Sequence, residues 1–132
     1  MSVGLDTSLL LRLLIGSPPA QARNAVHFLD NLGRSGGKAC VSDLVVAETY
    51  FALQFHYGIT KVDAIAALAA LFSTGEIIAT GQAGDVLTRP GLASARPGFV
   101  DRLIHAAYTE AECKMATFEK AAGKLPDVIV LK

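Results

Sequence analysis

The chain has 132 residues, 52% apolar and 18% charged, and its 12 basic and 12 acidic side chains cancel to a formal net charge of zero. That size suits one domain spanning residues 1–132, able to bury a core without staples, and no apolar run approaches the roughly 18 residues that would suggest a membrane span. Neutrality excludes a general pull toward nucleic acid or anionic membrane, so a polyanion must be met by a local patch or by cations held on carboxylates.

An apolar opening, Ser2–Leu5, reads as a strand and ends at Asp6. Leu9, Leu10, Leu13 and Leu14 then follow at helical spacing, with Arg12 facing outward, until Gly16-Ser17-Pro18-Pro19 stops the element. Asp6 before this run and Arg12 within it are unlike a signal peptide, so a soluble, cytoplasmic protein is expected. The spacing of Ala22, Val26 and Leu29 predicts a helix over Ala20–Leu32 with those residues inward. Lys38–Val41 predicts a second strand, and Ser42 and Asp43 suit the cap of a helix running through Glu48 to about Tyr57.

Thr60 can cap a further helix, Lys61–Phe72, and Glu76–Ala79 predicts a third strand. Residues 81–98 are rich in Gly, Pro and Arg, with one helical turn at Ala83–Leu87. A helix over Phe99–Ala111 and strands over Met115–Phe118 and Val128–Leu131 complete the chain. Cys40 and Cys113 have neither metal-ligand spacing nor a disulfide framework and are expected to be semi-buried thiols of a reducing cytosol. Short strands separated by helices predict an α/β domain with a mostly parallel sheet, where ligands sit beyond the carboxyl ends of the strands.

Four acids fall where that architecture would make them converge. Asp6 follows the first strand, Glu48 lies in an apolar helical stretch after the second, Asp101 opens the helix Phe99–Ala111, and Glu119 follows Met115–Phe118. Taken singly, each has an ordinary explanation as a helix cap, a dipole partner or half of an ion pair. Together they suggest one purpose. Clustered carboxylates repel unless a cation neutralises them, and hard divalent ions such as Mg²⁺ or Mn²⁺ suit oxygen ligands and phosphate chemistry.

The stretches Val3-Gly-Leu-Asp-Thr-Ser8, Val41-Ser-Asp-Leu-Val-Val-Ala-Glu48, Gly98-Phe-Val-Asp-Arg-Leu-Ile104 and Ala116-Thr-Phe-Glu-Lys-Ala121 resemble the acidic signatures of PIN-domain ribonucleases. They are most similar to the VapC toxins of bacterial toxin–antitoxin pairs, over essentially the whole chain. The resemblance implies a three-layer α/β/α fold and Mg²⁺- or Mn²⁺-dependent cleavage of RNA. Asp6, Glu48 and Asp101 would be metal ligands, with Thr7 and Thr117 as hydroxyl neighbours. It also implies a homodimer silenced by an antitoxin peptide lying across the active-site groove. Glu119 departs from the pattern, which has Asp there. The extra methylene moves the carboxylate outward, toward a water-mediated or second-ion role.

Arg89, Arg96 and Arg102 form a loose basic group suited to phosphate, and Arg12 suits substrate or partner. His105 shares a helix face with Asp101 and suits either its orientation or an ordinary packing role. Tyr50, Phe51, Phe55 and Tyr57 are expected mainly in the core, with some free for a partner helix. An aspartyl phosphatase needs a second Asp where Ser8 stands. A receiver domain needs paired acids at the first strand and a Lys after the last, and Asp6 is alone. A module that keeps the fold and binds RNA or protein without cleavage remains the alternative.

Overall fold

Three short apolar segments build the sheet on which most of the molecule is laid. In the computed structural model, which describes all 132 residues, β1 (Ser2–Gly4), β2 (Lys38–Val41) and β3 (Ile77–Ala79) pair in that order, all parallel. Val3 lies opposite Ala39, and Ala39 opposite Ile77. Parallel neighbours need crossovers. Here α1 (Thr7–Ile15) and α2 (Pro19–Arg34) join β1 to β2, and α3 (Asp43–Phe55) and α4 (Lys61–Ser73) join β2 to β3.

Beyond β3 come α5 (Ala83–Leu87), a 3-10 turn at Leu92–Ser94, and α6 (Phe99–Glu110). The chain closes with β4 (Met115–Thr117), a second 3-10 turn at Lys120–Lys124 and β5 (Val128–Val130). β4 and β5 pair in parallel as a sheet of their own. The protein is therefore α/β with parallel pairing throughout, but its five strands divide three and two rather than forming one central sheet. No helix is long and apolar enough to cross a membrane.

Local chemistry accounts for the helix ends. Asp6, Ser42 and Thr60 each accept the backbone N–H three residues on, the N-cap bond that satisfies an otherwise unpaired donor. Gly16 ends α1 in the left-handed region (φ 79°), where a Cβ is unfavourable. Pro19 opens α2 at the position where a missing N–H costs nothing. Ser42, rather than Asp43, caps α3. The Asp43 carboxylate instead accepts from the amides of Gln82 and Ala83, at 3.0 and 2.9 Å, and ties the start of α3 to the start of α5.

The main core lies between sheet and helices and includes Leu10, Val41, Val46, Leu53, Leu68 and Phe99. Its boundary departs from the sequence-based expectation in three places. On α2 Ala25 and Leu32 are buried and Leu29 packs against the core as expected, whereas Val26 is half exposed. On α3 Tyr50 is buried, but Phe51 and Phe55 face out together with stacked rings, and Tyr57 beyond the helix is exposed too. Cys40 is semi-buried as expected, but Cys113 is exposed, and both thiols are free.

Candidate active site

The fold brings Glu48 against Thr7, the residue that follows Asp6. Asp6 leaves β1 at its carboxyl end and becomes the cap of α1. Its Oδ1 accepts from the Leu9 amide at 3.0 Å and the Ser8 hydroxyl at 2.7 Å. The Leu9 amide bond, then the Ser8 hydroxyl, hold the Asp6 carboxyl below its ordinary pKa, with the charge of Arg12 adding to the same direction. One residue on, Thr7 Oγ1 donates to Glu48 Oε1 at 2.9 Å, across 41 positions of sequence. Both acids are exposed, and the bonds they accept fall on one oxygen each, leaving Asp6 Oδ2 and Glu48 Oε2 without an intramolecular donor.

Asp101 lies in the first turn of α6, exposed and without a side-chain hydrogen bond. The start of α6 is held to α3 by an edge-on contact between Phe99 and Tyr50, with ring centroids 5.0 Å apart. Burial raises the pKa of the Tyr50 hydroxyl. Glu48 precedes Tyr50 by two residues and Asp101 follows Phe99 by two. Residues two apart on a helix are about 200° apart around its axis. The aromatic contact therefore joins the two helices through faces other than those carrying Glu48 and Asp101.

Glu119 stands after β4 and caps the 3-10 turn that follows. Its Oε1 accepts from the Ala121 amide at 3.3 Å, and its own amide donates to Thr117 Oγ1 at 3.0 Å. Thr117 thus serves the backbone of Glu119, while Thr7 is the hydroxyl that meets an acid from another element. The carboxylate donor set suits a hard divalent ion. Nowhere, however, does the chain draw three or more His, Cys, Asp or Glu side chains into a group that could hold one. Donor chemistry fits at Asp6 and Glu48, and the ligand set is not closed around them.

The remaining candidates separate clearly. Arg102 braces the preceding loop through Nε to Pro97 O (2.8 Å) and Nη2 to Arg96 O (3.2 Å), whereas Arg89 and Arg96 are exposed. His105 does not orient Asp101. It is buried, 7% exposed, with Nε2 2.7 Å from the carbonyl oxygen of Pro126. Since a carbonyl only accepts, Nε2 carries the proton. A cavity of about 640 Å³ opens at the amino ends of β2 and β3, lined by Asp30, Arg34, Lys38 and Glu76. It lies at the end of the sheet opposite Asp6, whereas ligands of parallel α/β sheets gather at the carboxyl ends.

No family model matches the chain, and no curated protein is significantly similar to it.

Proposed function

We propose that the protein is a metal-dependent endoribonuclease of PIN-like, three-layer α/β/α architecture, acting as the toxin of a toxin–antitoxin pair. The observation that supports this reading is the Thr7–Glu48 hydrogen bond, which holds Glu48 against the residue following Asp6, just past the carboxyl end of β1. Both carboxylates are exposed, and each keeps an oxygen that accepts no intramolecular bond. Asp6, Glu48 and Asp101 would hold Mg²⁺ or Mn²⁺, with Glu119 as an outer or second-ion ligand. The ion would activate water and neutralise charge on an RNA phosphodiester.

The chain's own part is to position. Ser8 and the Leu9 amide orient Asp6 and keep it ionised, and Thr7 orients Glu48. Exposed Phe51, Phe55 (79%) and Leu44 (74%) on α3 give an apolar face for a second copy or an antitoxin, which supports a homodimer and a protein partner. Arrest of growth on expression, relieved by a neighbouring reading frame, would mark the toxin role.

The decisive experiment is cleavage of single-stranded RNA with Mn²⁺, with and without chelator, by the wild type and Asp6→Asn. Asn also caps helices well, so the fold should persist. Activity should fall by at least about 100-fold, since even the outer partners of a metal ligand are worth 10–100-fold. Full activity in Asp6→Asn rejects the assignment. A second reading, a module that binds RNA or protein without cleaving, is favoured by the absence of a closed three-acid group. Chelator-insensitive RNA binding with no cleavage would select it.

A further inference from the structure

A groove between α1 and α2 adjoins Asp6 and, apart from Ser8 and Arg12, is built of groups that the site described above does not use. Its cavity, about 280 Å³, is flanked by Ser8 and Arg12 from α1 and by Gln21, Asn24 and Phe28 from α2. On α2 these positions follow the spacing i, i+3 and i+7, which brings them to one face. Ser8 links the groove to the acids, since its hydroxyl donates to Asp6 Oδ1 at 2.7 Å.

Arg12 donates its Nε to Gln21 Oε1 at 2.6 Å, a bond that crosses between the two helices. It fixes what the groove offers. Gln21 Oε1 already accepts one bond while its amide N–H groups are free, and only the Nε of Arg12 is engaged, so its terminal nitrogens remain available as donors. The Ser8 proton is directed to Asp6. Free donors therefore outnumber free acceptors, and Asn24, like Gln21, offers both. Phe28, 41% exposed, adds an open aromatic ring.

We infer that this groove is a nucleobase subsite for the RNA strand, stacking a base on Phe28 and selecting guanine over adenine through Arg12. Guanine presents two acceptors, O6 and N7, that a guanidinium meets with two parallel bonds, whereas adenine places its N6 amine against those donors. A polar rim around one ring suits a flat heterocycle with a hydrogen-bonding edge. An apolar side chain of a protein partner would leave that rim unpaired. The volume is near the lower end of the roughly 300–1,000 Å³ typical of small-ligand sites. The inference rests on the nuclease reading, because it takes the strand to pass Asp6.

The test is equilibrium binding of labelled UUGUU and UUAUU RNA in chelator, where no metal-dependent cleavage occurs. UUGUU should bind about tenfold more tightly, the discrimination expected of one bidentate arginine contact. Phe28→Ala should weaken both RNAs by roughly ten- to a hundredfold through lost stacking. Arg12→Ala should erase the preference, and Val26→Ala, an exposed neighbour on α2, should change neither. Equal affinity for the two RNAs, no binding of either, or an unaffected Phe28→Ala would overturn the subsite. Equal affinity is also the result expected if a protein segment occupies the groove. Guanine preference without cleavage when Mn²⁺ is restored sinks the nuclease reading and leaves the subsite. Mn²⁺-dependent cleavage without preference does the reverse.

Discussion

The two sheets of this molecule are held by different means. The β1–β2–β3 sheet is covered by α1 to α4, and its residues Ala39, Val41 and Ile77 belong to the main core. The β4–β5 pair buries Met115 and Ala122, which lie outside that core, and leaves Phe118, Ile129 and Leu131 largely in solvent. One buried polar contact, His105 to Pro126 O, fastens it to α6. Asp6 and Glu48 stand on the strongly packed side, Glu119 stands on the weakly packed one, and Asp101 lies on the helix between. The contrast teaches where the candidate site is rigid. The Asp6–Glu48 pair inherits the stability of the main core, and the position of Glu119 depends on far fewer interactions.

Substitution at the seam of α3 and α6 should break this contrast most severely. Phe99 is fully buried and contacts Tyr50 edge-on, so Phe99→Ala removes a large core side chain and leaves a cavity beside α3. The expected loss is about 3–5 kcal/mol of global stability, read from the urea midpoint. A loss below about 1 kcal/mol would mean that α6 is not part of the main core. His105→Leu should act on the other region. It removes the donor to Pro126 O, worth about 1–2 kcal/mol at most because that residue is exposed and its carbonyl can turn to water. Its signature is local. Amide exchange at Met115 and Leu131, which donate to Asp127 O and Thr117 O, should accelerate while β2 amides stay protected. Uniform acceleration across both sheets would show that the two regions unfold together.

This contrast also explains what the sequence could reveal. Helix limits were legible because caps and stops are local: Thr60 before Lys61, Gly16 after Ile15, and the short apolar turn Ala83–Leu87 all declare themselves within a few residues. The division of strands was not legible, because Met115–Thr117 pairs with Val128–Val130 through a register that no local pattern encodes. On α2 the sequence misplaces Val26 alone, because Ala22, Ala25, Val26 and Leu29 form a stripe wide enough to rotate either way, and the structure keeps Leu29 against the core while turning Val26 outward. At the site, the placement of Asp6 and Glu48 after consecutive strands was readable, and Thr7 was expected as a hydroxyl neighbour. The position of Asp101 relative to Glu48 was not, because it depends on how two helices are rotated about the Tyr50–Phe99 contact. The partner of His105 lies 21 residues away, after an irregular turn, with no periodic signal to suggest it.

The smallest effects concern Asp6, where a structural role and a chemical one share a carboxylate. Asp6→Ala should cost about 1 kcal/mol by leaving the Leu9 amide uncapped, whereas Asp6→Asn should cost a few tenths at most, since both residues cap well. Thermal melts of the two variants at neutral pH measure this difference. The pH dependence then isolates the charge. Asp6 is held below its ordinary pKa in the folded chain, so the folded state binds its proton less readily than the unfolded state does. Its contribution is fully present above the unfolded pKa and is lost as pH falls through the folded one. The advantage of wild type over Asp6→Asn should therefore shrink as melts are taken from pH 7 toward pH 3, by less than the cost of losing the cap, because the group is exposed and screened. A gap that stays constant over this range would mean that Asp6 acts through its shape alone, and that the charge on this carboxylate contributes nothing to holding the first turn of α1.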